Sequence, residues 1–225
     1  MLLALDTTQA SLALALAADH GAEPTVVDEA MPRGQGDVLF ARIADLLAVA
    51  GARVADITRI ACAIGPGSFT GVRISVAAAR GLALALGVPV AGFSSLEILA
   101  RAARDAAGDE VIVAAIVSRG GMVFVQPFSP RGAPLAAPAL CQAAMAAQGI
   151  AAAPGVLVGS GARLLAPHLS GWRVHEIPAA GAIRALLTLA RMAPAERWRT
   201  PPVPLYLRPP DARPQVNGIG AGSVS

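Results

Sequence analysis

Apolar positions along the first half of the chain switch between two periods. Leu2 to Asp6, Ser11 to Ala17 and Pro24 to Ala30 are short strand-like runs with brief polar connections, which predicts an antiparallel meander. Asp6-Thr7-Thr8-Gln9 is the turn between the first two. The period then changes. Val38, Leu39, Ile43, Leu46 and Leu47 recur at helical spacing and form one apolar face, with Arg42 and Asp45 on the other side and Gly51 as a stop. Ile60 to Ile64 is again a strand, and a long apolar run from Ile74 to Leu86 is again a helix. Val88 to Ala91 predicts a further strand, and Ser95 opens a third helix through Arg104. Strands alternating with helices imply parallel crossovers after the meander.

The second half repeats the mixture less clearly. Val111–Val117 and Met122–Phe128 predict two strands joined by Ser118-Arg119-Gly120-Gly121, a good hairpin signal. Pro138 to Gln148 reads as a helix, Gly155–Val158 as a short strand and Ala162–His168 as a short helix. Trp172–Ile177 is strand-like and Ala182–Met192 helical. Residues 209–225, rich in Pro, Gly and Ser, are expected to form a disordered tail. No convincing internal repeat relates the halves, divided here at residues 1–107 and 108–208.

Between strand and helix lies Gly65-Pro66-Gly67-Ser68-Phe69-Thr70-Gly71-Val72-Arg73. Three glycines and a proline force a tight turn, and Ser68 or Thr70 can cap the helix. Such a loop can cradle an anion with free N–H groups at a helix start, or can simply let strand and helix pack closely. Spacing does not separate the two readings. All 18 basic residues are Arg, so a P-loop with its lysine is excluded, and the glycines are not at dinucleotide spacing.

The decapeptide from Gly65 to Ile74, following a strand, resembles the signature of the TsaB (YeaZ) family. That family is the non-catalytic partner in the bacterial machinery that makes threonylcarbamoyladenosine in tRNA. Leu5-Asp6-Thr7-Thr8 is similar to the family's opening turn, and Pro204-Leu205-Tyr206-Leu207-Arg208 to its closing P-x-Y-x-R. The resemblance implies an α/β, two-lobed actin-like (ASKHA, RNase H-like) fold, with a mixed sheet in the first lobe and a smaller, degenerate second lobe. It implies a partner surface on the two long helices and their loop: Leu39, Arg42, Ile43, Leu46, Gly65 through Arg73, Ser75, Val76, Ala79 and Arg80. The implied partners are the transferase TsaD and the ATPase TsaE, with a homodimer in isolation and tRNA reached through the complex. ATP or ADP and metal belong to those partners, and none is expected in this chain.

The second helix supports a partner surface on its own residues. Gly71, Ser75, Ala78 and Gly81 would let another helix approach, and no acidic residue occurs between Asp56 and Glu97, while Arg59, Arg73 and Arg80 do. A helix this apolar could equally be buried within its own subunit.

Asp6-Thr7-Thr8 sits where actin-like ATPases place a first phosphate loop, so a small ATPase or sugar-type kinase is the competing reading. A working site needs a second acidic loop, and Ile116 to Gly121 has no carboxylate. Against the family's I-D-A-R-x-x-E-V-Y, Val117, Met122 and Phe124 replace Asp, Glu and Tyr. Gln35 stands near where the family often starts its first long helix with His. His20, His168 and His175 are scattered without metal-ligand spacing, which argues against a glycoprotease-like metallopeptidase. Ser68, Ser94 and Ser95 have no His/Asp pairing. Net charge is only +3, too mild to argue for nucleic acid, and no Arg cluster in the sequence interleaves with aromatics. Cys62 and Cys141 form no disulfide pattern, which suggests a reducing cytoplasm.

Overall fold

Leu2–Asp6 (β1), Ser11–Ala17 (β2) and Thr25–Ala30 (β3) form the expected meander, β1 antiparallel to β2 and β2 to β3. The computed structural model describes residues 1–18, 23–150, 154–178 and 180–207; His20, Arg208 and the tail expected at 209–225 lie outside them. Gln35–Val49 (α1) then crosses to Arg59–Ala63 (β4), parallel to β1, and Phe69–Leu86 (α2) crosses to Val90–Phe93 (β5), parallel to β4. The sheet order is β3-β2-β1-β4-β5.

Strand alternation divides this sheet into two faces. Leu3, Leu5, Leu12, Leu14, Ile60 and Cys62 point to one, where α1 and α2 cover them. Leu2, Ala4, Ala13, Ala15, Ala61 and Phe93 point to the other, beneath Ser95–Ala107 (α3) and Gly181–Met192 (α6). The small alanines on that second face let α3 and α6 lie close to the sheet.

The second sheet contains Val111–Val117 (β6), Met122–Phe128 (β7), Ala139–Gln142 (β8), Gly155–Val158 (β9) and Arg173–His175 (β10), in the order β10-β9-β6-β7-β8. Read from β8, this is the order of the first sheet again, with the same antiparallel and parallel pairings. The duplication absent from the sequence is therefore plain in the topology. Both lobes carry five strands. The second is reduced in its helices: Ala143–Gln148 (α4) has six residues and Ala162–Leu165 (α5) four. One helix serves both lobes, since α3 packs Leu96, Ala100 and Ala103 onto the second sheet and Ile98 onto the first.

Two expectations are corrected. The helix expected over 138–148 begins as a strand, because Ala139 to Gln142 pair antiparallel with Val125 to Met122. Alanine, leucine and glutamine favour helices, but an open edge on β7 outweighs that weak preference. The last helix and the segment after it return to the first lobe, with Ile183, Leu186 and Ala190 in its core. The chain beyond 108 is thus not all second lobe.

By length and composition α2 could cross a membrane. Its inner face, however, packs on Leu3, Leu5 and Cys62 as part of the first-lobe core.

Candidate functional site

Because β1 and β4 are adjacent and parallel, their carboxyl ends place the Asp6 turn beside the glycine loop. The two interlock. A Cβ on Gly67 would strike the Thr8 carbonyl oxygen, and one on Gly71 the Thr7 carbonyl oxygen, so only glycine permits this approach. Ser68 N–H donates to Thr8 O at 2.8 Å, and the Thr7 hydroxyl donates to Gly71 O at 2.7 Å. Ser68 caps α2, its Oγ accepting from Gly71 N at 3.3 Å. Gln9 Nε2 donates to Pro66 O at 3.3 Å. From α1, the buried Gln35 braces the turn by donating to Gln9 O at 3.0 Å and Ser11 O at 3.1 Å. Helix α3 completes the lock: Ser95 N–H donates to Gly65 O at 2.8 Å, and its hydroxyl lies 3.0 Å from that of Thr8.

This network supports the close-packing reading of the glycine loop. The N–H groups of Ser68 and Gly71 are already used within the chain. Thr7 and Thr8 are fully buried. The space in front of the loop is filled by the protein's own Thr7-Thr8 backbone, so the loop is a close-packing device.

Asp6 is half-buried and accepts from Thr8 N–H at 2.7 Å. Burial pushes its carboxyl above the usual carboxylate range; the Thr8 N–H and hydroxyl pull it back in part, and Asp28 adds to the rise. Between the unfolded value of about 3.9 and its raised native value, the native state therefore holds more protons than the unfolded one. Stability falls as pH rises through that window and stays lower above it. Asp6→Asn keeps an acceptor for Thr8 and avoids the loss. It is expected to raise the urea midpoint at pH 7, with the gap closing as pH falls below about 3.9. An unchanged or lower midpoint at pH 7 would contradict this.

In the other lobe the matching turn joins β6 to β7. Gly120 and Gly121 have φ of 68° and 72°, and Val117 N–H donates to Ser160 Oγ at 3.1 Å. Phe124 is buried in the second core, whereas Val117 is exposed. Two surface cavities, one between Arg80 and Pro201 and one between Leu99 and Arg163, both lie away from Asp6, Thr7 and Thr8. Among the described residues no group of His, Cys, Asp and Glu is arranged to hold a metal ion.

The residues expected to meet a partner fall into two sets. Leu39, Ile43, Leu46, Gly65, Pro66, Gly71, Val72, Ser75, Val76 and Ala79 are buried within this chain. They hold the helices to their own sheet; Ser75 Oγ even donates to Ala63 O at 2.7 Å. A docking protein cannot reach their side chains. Gly67 is half-buried, and Ser68, Phe69, Thr70, Arg73 and Arg80 face outward. Arg42 is half-buried and tied to Glu29 at 2.9 Å and Asp45 at 3.3 Å.

The outward arc contains apolar residues that the sequence reading missed. Phe40 is 57% exposed and Leu84 86% exposed, and Ala41, Ala44, Ala77, Gly81 and Ala85 lie open around them. Helices α1 and α2 approach closely where Gly36 meets Ile74, a Cβ on Gly36 falling 3.2 Å from Ile74 Cδ1. Phe40 is one turn further along α1 on that side. Helical offsets from Arg73 would have found Ala77 and Leu84.

The known proteins that this chain resembles agree with the fold. The solved structure of YeaZ from Pseudomonas aeruginosa superposes with a TM-score of 0.74 at 30% identity, over 92% of this chain and 99% of that one. The chain belongs to the YeaZ (TsaB) family. Escherichia coli "tRNA threonylcarbamoyladenosine biosynthesis protein TsaB" is 36% identical over 123 residues, 55% of this chain and 52% of that protein. The chain thus spans about half the length of the curated TsaB relatives it first matches. A family profile described as TsaD, tRNA N6-adenosine threonylcarbamoyltransferase, matches residues 29–127. That stretch runs from the end of β3 to β7 and includes both helices and the glycine loop. In this YeaZ-family chain the family decapeptide is accordingly the part that seals the Asp6 turn.

Proposed function

We propose that this chain is a non-catalytic scaffold subunit in the formation of threonylcarbamoyladenosine in tRNA. It docks the transferase TsaD through the outward arc of α1 and α2 and holds it in its competent arrangement. The ATPase TsaE joins the same assembly, and catalysis, nucleotide and metal reside in the partners. The same arc pairs two copies of this chain when the transferase is absent. The assembly works in the cytoplasm.

The observation that carries this reading is the contrast between two surfaces. The turn that would hold phosphate is packed shut, its threonine hydroxyls spent on Gly71 and Ser95. The helices beside it leave Phe40, Ala44, Ala77 and Leu84 uncovered. Contiguous exposed apolar surface of this kind marks an interaction site, and small side chains let a partner helix approach closely.

The test is reconstitution. Incorporation of labelled threonine into a tRNA transcript is measured with the transferase and the ATPase, with and without this chain. Sustained transfer is expected to fall at least tenfold without it. Undiminished transfer in its absence overturns the scaffold role.

A further inference from the structure

The segment after α6 forms a strap along the open side of α2. Arg197 anchors its start, pairing with Glu97 at 2.8 Å, donating to Gly92 O at 3.0 Å and stacking 4.0 Å from the Phe93 ring centroid. Leu205 N–H donates to Ile64 O at 2.8 Å and fixes its end beside the glycine loop. A groove of about 490 Å³ runs between strap and helix, lined by Arg80, Gly81, Leu84, Val88, Val90 and Pro201 among others.

At the loop end of this edge, three residues far apart in sequence converge. The Arg73 guanidinium lies 3.8 Å from the Phe69 ring centroid, and its Nε donates to the Tyr206 hydroxyl at 3.1 Å. The two rings are 5.4 Å apart, and Phe69 and Tyr206 are 47% and 45% exposed. Arg80 follows two helical turns on, at the groove, and Arg199 lies two residues before Pro201; both are exposed. Helix α2 contains no carboxylate, and the strap contains one, Glu196, near its start, with none from Trp198 to Leu207. Some exposed arginines elsewhere are paired, as in Arg53–Asp56, Arg163–Glu176 and Arg184–Glu23, whereas Arg33, Arg131 and Arg191 stand singly without an ion pair among the described residues. Among the described residues Arg73, Arg80 and Arg199 have no such ion pair.

We infer that this edge binds RNA directly. Arg80 and Arg199 meet backbone phosphates, and the Phe69–Arg73–Tyr206 group offers flat faces to an unpaired base. Arginine–aromatic platforms are how proteins hold unstacked bases, whereas an anionic membrane or a duplex needs only the charges. This goes beyond the scaffold role: the arginines and rings border the docking arc of α2 on its strap side and share Leu84 with it, while Ile74 faces α1.

The experiment is fluorescence anisotropy of an unmodified tRNA transcript with the isolated full chain, across a salt series. A duplex DNA and vesicles of anionic lipid serve as comparators, and Arg80→Glu/Arg199→Glu and Phe69→Ala/Tyr206→Ala as variants. Wild type is expected to bind the transcript more tightly than the duplex. The charge-reversed variant, which breaks no internal contact, should bind at least tenfold more weakly, with a salt slope shallower by about 1.4, or ~0.7 per phosphate contact. The aromatic variant should lose roughly tenfold with its slope unchanged. No binding by wild type, no loss in the charge-reversed variant, or tighter binding to vesicles or duplex overturns the inference. A charge-reversed variant that loses the transferase while keeping RNA overturns it too. Because binding is read on this chain alone, failure here leaves the reconstitution result standing.

Discussion

Replacing Gly71 by alanine is expected to destabilise the protein by roughly 3 kcal/mol, although it adds a single methyl group. The methyl would occupy the place of the Thr7 carbonyl oxygen. Neither group can move cheaply, since both belong to backbone, and the Thr7 hydroxyl is bonded back to Gly71 O at 2.7 Å. For a chain of 225 residues this corresponds to a fall in Tm of about 6–12 °C. Gly81, on the same helix, gives the contrast. A Cβ there meets nothing within 4 Å. Gly81→Ala should therefore stabilise the isolated chain by about 1 kcal/mol, the ordinary helix preference. Thermal melts of the two variants should move in opposite directions. A Gly71→Ala protein that melts like wild type would mean that the glycine loop and the Asp6 turn are not locked together.

The other large effect concerns the outward arc. Phe40→Glu and Ala77→Glu place a charge where α1 and α2 leave apolar surface uncovered. Both positions face solvent, so each variant should keep its stability within about 0.5 kcal/mol. Each is expected to weaken binding to the transferase at least ~30-fold, the loss from removing a buried interface anchor of about 2 kcal/mol. Calorimetric titration checks this. Leu39→Ala is the control of opposite kind: Leu39 is buried, so it should lower stability by about 2–5 kcal/mol through the cavity it leaves. Equal affinity for both charged variants would move the docking site off these helices.

Much of the framework was legible because local pattern and global fold agree there. β1 and β2 carry unbroken apolar runs bounded by polar turns, and their ends fall where the pattern changes. The start of α2 was legible as a choice between two caps, and Ser68 takes the role. β8 was not legible, since Ala139 to Gln142 look helical until β7 offers a partner edge. Sequence could place Thr7 and Thr8 in a turn but could not show their hydroxyls consumed, because the partners come from residues 64 and 87 positions away. The contact between Arg73 and Tyr206 spans 133 residues and left no periodic trace. For α1 and α2 the composition showed an excess of apolar surface but not its direction. Leu39, Ile43 and Val76 satisfy the sheet, and the surplus that faces outward is Phe40, Ala77 and Leu84.

The central claim is that the uncovered arc of α1 and α2 exists to be covered by the transferase, while this chain's own phosphate turn is closed. Light scattering on an equimolar mixture with the transferase, without nucleotide, tests it most directly. One species with the summed mass of the two chains, and no free pool of either, is the expected result. Two separate species at their individual masses would contradict the account.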